Sequence, residues 1–296
     1  MSRFLDPSIP RKSAIVDKAF TLDESGIPLP SVVEINDSGL CNRKCSFCPR
    51  SAPDYPSVNE FVDTSLIEKL TRQLNEAGFK GAVVFAGFGE PLLDRNIYNL
   101  IALVRRHLSD SEIEITTNGD VLNKPRLERL FESGLSTLLI SVYDSKKEAL
   151  RFERLCEDAG LTQDQYKIRH RYLPPEQDFG ITLSNRGGMM SNAAFQIPSR
   201  SEAWKHPCFY PHYFFFMDYD GDVLLCPHDW GKKFIVGNMK RQDFKEIWLG
   251  KRVASARSRL AKGNRRFSPC NVCDVDGTLM GKKHVDAWVA LEQQTK

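Results

Sequence analysis

Seven of the eight cysteines in the 296-residue sequence fall into two groups whose spacing suits metal binding. The first group has the pattern C-x3-C-x2-C and consists of Cys41, Cys45 and Cys48. The second group is spread more widely and ends in a C-x2-C pair. It consists of Cys208, Cys226, Cys270 and Cys273. In a chain without a secretory signal, clustered cysteines more often bind metal than form disulfides.

The first group is typical of an iron–sulfur site. Three thiolates on one short loop can ligate three corners of an iron–sulfur cube, and the absence of a local fourth ligand leaves one iron open for a substrate or cofactor. A zinc loop that borrows a distant ligand is the alternative, although structural zinc favours paired C-x2-C units. For the second group, ligand chemistry alone favours zinc bound by four cysteines.

The composition is that of an ordinary folded protein, with 41% hydrophobic and 27% charged residues. It excludes a disordered tail, a collagen-like rod and a small disulfide scaffold. The net charge of +3 is too small to require a nucleic-acid partner. No apolar run approaches the ~18 residues of a membrane span, and the start lacks a secretory apolar segment. We therefore expect a cytoplasmic protein with no membrane or nucleic-acid partner.

Strand and helix patterns alternate between residue 31 and about residue 188. Strands are predicted at 31–35, 81–86, 112–116, 137–142, 167–173 and 181–184, and helices at 65–77, 97–108, 125–133 and 146–159. This order predicts βαβ units and a parallel α/β sheet, in which reactive groups gather at the carboxyl ends of the strands. The first cysteine group follows the first strand, so we expect it at that edge.

Three regions are predicted from these patterns. Residues 1–30 form an irregular lead-in, residues 31–195 hold the alternating elements, and residues 196–296 form a smaller α+β module. The hairpin and helices of this module are predicted at 213–226, 244–249, 251–261 and 284–294. Because the module has few long apolar elements but four cysteines, we expect metal to hold it together in part.

The motifs at the strand ends resemble those of the radical S-adenosylmethionine (SAM) superfamily. The C-x3-C-x-aromatic-C loop follows the first strand, and the Gly-Phe-Gly-Glu-Pro run at 87–91 stands where the family has its Gly-Gly-Glu motif, with Phe88 replacing the middle glycine. The Thr-Thr-Asn-Gly run at 116–119 and Ser141 stand at the next two strand ends. The resemblance covers roughly residues 31–190 and implies a partial (β/α)6 TIM-like barrel.

The resemblance implies a [4Fe-4S] cluster on the first cysteine group, with SAM on the open iron. An electron from a reductase or flavodoxin-type donor would cleave SAM, and the resulting 5′-deoxyadenosyl radical would abstract hydrogen from a substrate. The residues implied to contact SAM are Phe47, Gly89, Glu90, Asn118, Ser141 and Arg171.

Two arginines are candidate catalytic residues. Lys167, Arg169 and Arg171 alternate along the fifth predicted strand and therefore share a face. Arg169 or Arg171 could pair with a carboxylate, although a solvated strand edge explains the alternation equally well. Arg186, in an Asn-Arg-Gly-Gly segment, is a further candidate for substrate or SAM contact, with a glycine turn that carries an exposed arginine as the alternative.

The second cysteine group resembles the auxiliary-cluster module of radical SAM enzymes in its shorter, twitch form, rather than the longer SPASM domain. The matching segments around it are Cys-Pro-His-Asp at 226–229, Val-Gly-Asn at 236–238 and Glu-Ile-Trp at 246–248. The resemblance implies a second [4Fe-4S] cluster with four protein ligands. Such a closed cluster can carry an electron but cannot easily bind a substrate.

These features predict a radical SAM oxidoreductase acting on a small polar metabolite such as a sugar or aminocyclitol. A secondary alcohol would lose a hydrogen atom, a proton and an electron, and Arg169 or Arg186 would take the proton. A peptide-modifying enzyme or an epimerase is the alternative within the superfamily. A zinc-binding structural or nucleic-acid-associated protein is the alternative of another class.

The remaining cysteine and the scattered basic pairs are predicted to have structural roles. Cys156 lies inside a helix and is expected to be a packing residue, with a thiol hydrogen-atom donor as the alternative. The pairs Arg257/Arg259 and Arg265–Arg266 are expected to be solvated, or to assist an acidic substrate.

Overall fold

The computed structural model describes residues 9–172, 184–191 and 202–294. The first part alternates as predicted: α1 (Ile9–Lys18), β1 (Val32–Asn36), α2 (Thr64–Glu76), β2 (Ala82–Phe85), α3 (Ile97–His107), β3 (Glu112–Thr117), α4 (Lys124–Glu132), β4 (Thr137–Val142), α5 (Lys146–Asp158) and β5 (Tyr166–His170). The second part contains α6 (Tyr210–Tyr213), β6 (Phe214–Asp218), β7 (Asp222–Leu224), β8 (Ile235–Asn238), α7 (Phe244–Trp248), α8 (Lys251–Ala261) and α9 (Lys282–Gln294).

All eight described strands belong to one sheet, in the order β5-β4-β3-β2-β1-β6-β7-β8. Strands β1 to β6 pair in parallel, whereas β7 and β8 pair antiparallel. Within the described residues the sheet does not close on itself. The architecture is therefore α/β with an open, partial barrel, as predicted.

Strand β6 belongs both to the predicted hairpin and to the parallel sheet. The hairpin is present, because β6 and β7 pair antiparallel. The sequence did not predict that β6 also pairs in parallel with β1, from Val32↔Phe214 to Asn36↔Asp218. The Phe-Phe-Phe-Met run is apolar on both faces, which suits a strand buried on both sides. The strand predicted at 181–184 falls almost entirely outside the described residues, and the boundary near residue 195 stays a prediction.

The predicted irregular lead-in contains a helix. Helix α1 has Pro10 in its first turn, where the missing N–H costs nothing, and buries Val16. Arg11 of α1 forms ion pairs with Glu112 and Glu114 of β3. These long-range contacts hold α1 against the sheet, and local sequence patterns do not reveal them.

The helices cover one face of the sheet, and the other face carries polar side chains together with apolar ones such as Phe216 and Leu139. Val33, Ile35 and Ile115 belong to the apolar core that the helices share with the sheet. The alternate residues of the same strands, such as Glu34 and Asn36, point to the opposite face. None of the described helices combines the length and the apolar character that a membrane crossing requires.

Candidate active site

Asn36, the last residue of β1, connects three strand ends. Its Oδ1 accepts hydrogen bonds from the backbone N–H groups of Phe88 and Gly89, both at 2.8 Å. Its Nδ2 donates to Asp218 Oδ1 at 2.6 Å, at the end of β6. A Cβ on Gly89 would lie 2.0 Å from the carbonyl oxygen of Ser38, so only glycine fits there. The strand ends therefore meet at one edge, as predicted.

Glu90 ties the loop after β2 to the loop after β3. Its carboxylate accepts hydrogen bonds from Thr117 Oγ1 at 2.5 Å, from the backbone N–H of Asn118 at 2.8 Å and from that of Leu92 at 3.1 Å. Burial raises the pKa of Glu90 to about 7, although these three hydrogen bonds oppose the shift. The side chain is thus committed to the protein. The backbone N–H groups of Gly89 and Glu90 also donate within the protein, to Asn36 Oδ1 and to the carbonyl of Leu40, so it is the carbonyl oxygens of this run that could accept from a ligand.

The first cysteine group forms a tight, partly buried loop. The backbone N–H of Cys48 donates to the carbonyl of Cys45 at 3.0 Å, and that of Arg43 approaches Cys41 Sγ at 3.5 Å. Burial, followed by the nearby thiols of Cys48 and Cys41, raises the pKa of Cys45 to about 11. The three thiols are therefore close enough to influence one another, and none is in a disulfide.

Two residues between these cysteines anchor the loop to the sheet edge. Asn42 Oδ1 accepts a hydrogen bond from Asn118 Nδ2 at 2.8 Å, and Asn42 Nδ2 donates to Asp120 Oδ2 at 2.6 Å. Arg43 bonds Asp120 through Nε at 2.7 Å and Asp144 through both terminal nitrogens at 3.0 and 2.9 Å. The predicted residue Asn118 thus supports the cysteine loop directly.

An aromatic pair covers the same loop. Phe47 stacks on Tyr143, just after β4, with ring centroids 5.5 Å apart. Burial, followed by the charge of Cys45, raises the pKa of Tyr143 to about 12, while a side-chain hydrogen bond to Ser141 opposes the shift. Ser141 is 3% exposed and lies opposite Arg169 in the β4–β5 register. The structure therefore places Phe47, Ser141 and Arg169 around one aromatic ring.

Arg169 and Arg171 face the polar interior of the half-barrel. Arg169 is 8% exposed. Burial raises the pKa of Glu34 to about 7, and Arg169, like Lys12, opposes that shift, so these charges are close to each other. The backbone N–H of Arg171 donates to the carbonyl of Arg169 at 3.0 Å, in the turn that ends β5. The alternative of a solvated strand edge is wrong for Arg169.

Arg186 lies between the two cysteine groups. It begins the short 3-10 turn Arg186–Gly188 with a φ of 50°, and its guanidinium lies 5.6 Å from the ring centroid of Trp230. Burial lowers its pKa, while the charges of Cys48 and, less strongly, Asp274 raise it. Among the described residues, its Nε has no hydrogen-bond partner. Arg186 is only partly exposed, so the alternative of a glycine turn with an exposed arginine is wrong.

The turn of Arg186 is docked on the second cysteine group. The backbone N–H of Asn185 donates to the carboxylate of Asp274 at 2.9 Å, and its Nδ2 donates to the carbonyl of Val272 at 2.6 Å. A Cβ on Gly187 would lie 2.8 Å from the carbonyl oxygen of His228. Arg186 is thus fixed by the chain on either side of it.

The four thiols of the second group lie within electrostatic reach of one another. Burial, followed by Cys270, Cys273 and Cys208, raises the pKa of Cys226 well above its usual range. A Cβ on Gly277 would lie 2.5 Å from Cys208 Sγ, so the chain closes tightly around that thiol. Four thiols in one buried place are a donor set that fits iron–sulfur clusters and zinc alike.

The described thiols are not arranged around a single ion. Within residues 9–172, 184–191 and 202–294, no three His, Cys, Asp or Glu side chains could hold one metal ion. A [4Fe-4S] cluster takes one thiolate on each iron, so its ligands need not converge on one point.

Comparison with known proteins identifies the family. Residues 35–173 match the radical SAM superfamily, and residues 208–274 match an iron–sulfur cluster-binding domain, SPASM. The S-adenosyl-L-methionine-dependent 2-deoxy-scyllo-inosamine dehydrogenase of Niallia circulans is 31% identical over 247 residues, which are 82% of this chain and 92% of the relative. The chain belongs to the radical SAM superfamily. It is an enzyme of that superfamily that binds SAM and an iron–sulfur cluster.

Solved structures of radical SAM proteins share this architecture. BtrN in complex with AdoMet and 2-DOIA superposes with a TM-score of 0.70 at 27% identity, covering 84% of this chain and 95% of BtrN. Native anSMEcpe with bound AdoMet superposes with a TM-score of 0.54 at 15% identity, which shows the fold alone. The partial-barrel prediction and the motif resemblance are both confirmed.

Buried arginines near both cysteine groups were missed or misjudged from the sequence. Arg50 is 7% exposed and donates to the carbonyls of Phe88 and Gly39 at 3.1 and 3.0 Å. Arg265 was expected to be solvated, but it is 1% exposed and donates to the carbonyls of Val275 and Pro207, both at 2.7 Å, beside Cys208. Their partners are backbone carbonyls, which leave no sequence signal.

Arg257 was also expected to be solvated, and it is buried instead. It is 1% exposed, donates to the carbonyls of Pro211 and Trp248 at 2.7 Å each, and lies 3.8 and 4.0 Å from the ring centroids of Trp248 and Trp288. Cys156, in contrast, is fully buried in α5 within the main core, which agrees with a packing role.

Proposed function

We propose that this enzyme is a SAM-dependent dehydrogenase that oxidises a secondary hydroxyl group of an aminocyclitol, or of a closely related cyclic polyol, to a ketone. The observation that carries the proposal is the similarity to the 2-deoxy-scyllo-inosamine dehydrogenase, which extends over 82% of this chain and 92% of that protein. A peptide-modifying enzyme and an epimerase are the alternatives that the test below separates.

Two [4Fe-4S] clusters are proposed, one on each cysteine group. Cys41, Cys45 and Cys48 would hold the first cluster, which with SAM would supply the radical chemistry for hydrogen abstraction from the substrate. The first group leaves one iron free for SAM because it has three thiolates. The second group satisfies all four irons with protein thiolates, and its place beside Arg186 supports a role as electron acceptor.

The side chains of the site divide into SAM contacts and substrate contacts. We assign the backbone of Gly89 and Glu90 to the methionyl ammonium group, because the Glu90 side chain is already used by Thr117 and Asn118. The remaining assigned SAM contacts are Phe47, Asn118, Ser141 and Arg171.

Arg169 and Arg186 are assigned to the substrate. Both lie on the polar interior side, and one of them would take the hydroxyl proton. The lowered pKa of Arg186 is consistent with this assignment, because burial makes the neutral guanidine, the form that can accept a proton, less costly to reach. The substrate then loses a hydrogen atom, a proton and an electron, which together account for the ketone. A cytoplasmic reductase or flavodoxin-type protein would supply the electron that starts each turnover.

Anaerobic product analysis tests the proposal. The reconstituted enzyme is incubated with SAM, dithionite and 2-deoxy-scyllo-inosamine, and we expect one ketone for each 5′-deoxyadenosine. Deuterium uptake from solvent without net oxidation would indicate epimerisation and return Cys156 to consideration as a hydrogen-atom donor. A colourless zinc protein that leaves SAM intact would contradict the whole assignment.

A further inference from the structure

An open groove of about 850 Å³ runs between the start of α4 and the outer side of α5. Four cations line it: Lys124, Lys147, Arg151 and Arg154. Lys147, Arg151 and Arg154 are spaced i, i+4, i+7, so they lie along one face of α5. Lys124, the first residue of α4, adds the fourth positive charge from the opposite wall of the groove.

The groove has a surplus of positive charge. Its acidic residues are Asp144, Glu148 and Asp158. Arg43, which also bonds Asp120, bonds Asp144 at 2.9 and 3.0 Å, and both Arg43 and Arg151 lie 3.7 Å from Glu148. The carboxylates of Asp144 and Glu148 are therefore already held in ion pairs. Lys147 and Arg154 are exposed and form no ion pair within the described part of the chain. Lys124 has only a loose contact with Glu128, at 3.8 Å.

The position of two of these cations does not favour helix stability. Lys124 and Lys147 lie in the first turns of α4 and α5. The helix macrodipole disfavours positive charge at an amino terminus. Helix stability therefore does not explain why lysines occupy these two positions, whereas binding of an acidic partner would.

The groove opens beside the first cysteine group. Arg43 stands between Cys41 and Cys45, and its bonds to Asp144 connect the cysteine loop to the rim of the groove. A macromolecule seated in the groove would therefore rest against the loop that is proposed to hold the SAM cluster.

We propose that this groove is the docking surface for the one-electron donor, a small redox protein with an acidic surface of the flavodoxin type. The inference rests on the proposed function, since reductive cleavage of SAM requires one electron from outside. One electron leaves the donor, which is oxidised, and enters the first cluster, which is reduced, for each SAM cleaved. Opposite charges on the two surfaces speed and orient the encounter.

The test uses the charge-reversal variant Lys147→Glu/Arg154→Glu in the reconstituted holoenzyme. With flavodoxin in its reduced form at low ionic strength, we expect 5′-deoxyadenosine formation to fall by about tenfold or more, and the wild-type rate to fall as salt is added. With dithionite, the rates of variant and wild type should agree. Lys147→Glu places an acid where the macrodipole favours it, so the helix should remain folded.

Arg72→Glu/Lys80→Glu is the matched control. It changes the net charge equally, at exposed positions on the outer side of α2 and before β2, and should leave the flavodoxin-dependent rate unchanged. Binding of oxidised flavodoxin is measured separately by titration calorimetry, without turnover. Equal flavodoxin binding and rate in wild type and the groove variant would overturn the inference. If dithionite drives no SAM cleavage in the wild type, the proposed function fails, and the binding titration still decides on the groove.

Discussion

Asn36 Nδ2 donates a hydrogen bond to Asp218 Oδ1 at 2.6 Å, although 182 residues separate the two side chains. Both residues are buried, at 2% and 0% exposure. The contact joins β1, which leads into the first cysteine group, to β6, which lies between the first two cysteines of the second group. Asn36 also holds the Phe88–Gly89 backbone, so one carboxamide connects both halves of the site.

Removal of this carboxamide should weaken SAM binding. In Asn36→Ala the backbone N–H groups of Phe88 and Gly89 lose their acceptor, at about 1–3 kcal/mol for a buried group left unpaired. We expect the dissociation constant for SAM, measured by anaerobic calorimetry, to rise about tenfold or more. Asn36→Asp keeps the acceptor but places a second carboxylate beside Asp218, so it should lower the melting temperature more than it lowers SAM affinity. Wild-type affinity in Asn36→Ala would show that other contacts hold the loop.

Loss of a cysteine from the second group should separate SAM cleavage from oxidation of the substrate. Cys270→Ala should reduce the iron content from about eight to about four per chain, because each [4Fe-4S] cluster needs its thiolates. The first cluster remains, so 5′-deoxyadenosine should still form, while the ketone disappears. Iron analysis and chromatography of the products measure both effects.

Cys156→Ala is the control for that experiment. It removes a buried thiol from α5 that contributes to the core, so it should cost about 1 kcal/mol of stability and leave iron and products unchanged. Ketone formation that survives in Cys270→Ala would contradict an electron-accepting role for the second group.

Substitution of Arg186 should lower the rate of substrate oxidation without changing the iron content. Arg186→Lys keeps a positive charge but loses the planar fork, and we expect kcat/KM for ketone formation to fall about a hundredfold, or about 3 kcal/mol, with unchanged iron content. Arg252→Lys changes an exposed arginine whose contact is the ring of Phe234, at 4.7 Å, and should have no such effect. An unaltered kcat/KM in Arg186→Lys would remove this residue from the active site.

His284 should make the fold sensitive to mild acid. Its Nε2 lies 2.8 Å from Ser31 Oγ, which itself donates to the carbonyl of Val16, so Nε2 carries the proton. Nδ1 is buried without a partner among the described residues, and burial lowers the pKa of His284 to about 4. An unfolded chain takes up this proton near pH 6.5. The stability contribution is therefore complete above pH 6.5 and is lost as the pH falls towards 4, by about 3 kcal/mol.

Urea unfolding between pH 4.5 and 7.5 measures this loss. His284→Gln keeps a donor towards Ser31 but does not titrate. In this variant the slope of the unfolding free energy against pH should therefore correspond to about one fewer proton taken up on unfolding. Burial also lowers the pKa of His212 to about 3, and this residue is present in both the wild type and His284→Gln, so some loss of stability in acid should remain in the variant. Identical slopes would show that His284 is not the group responsible.

Local chemistry made much of this site predictable. The cysteine spacing, the order of motifs at strand ends and the alternation of strands and helices all depend on residues close together in the chain. Phe47, Gly89, Glu90, Asn118 and Ser141 were therefore found from the sequence, and the structure brings them to one edge, although their individual contacts with SAM stay predictions.

Non-local pairing accounts for what the sequence could not reveal. The position of β6 beside β1 depends on a partner strand about 180 residues away, so the local pattern predicted the hairpin of β6 with β7 but not the pairing of β6 with β1. The burial of Arg50, Arg257 and Arg265 depends on backbone carbonyls from distant loops, and a basic residue with such partners has the same sequence pattern as a solvated one.

The most direct test follows the hydrogen atom itself. The reconstituted enzyme is given 2-deoxy-scyllo-inosamine that carries deuterium on the carbon to be oxidised, and the mass of the 5′-deoxyadenosine is measured. We expect 5′-deoxyadenosine with one deuterium, formed in equal amount to the ketone. Unlabelled 5′-deoxyadenosine without ketone would contradict hydrogen abstraction from this class of substrate.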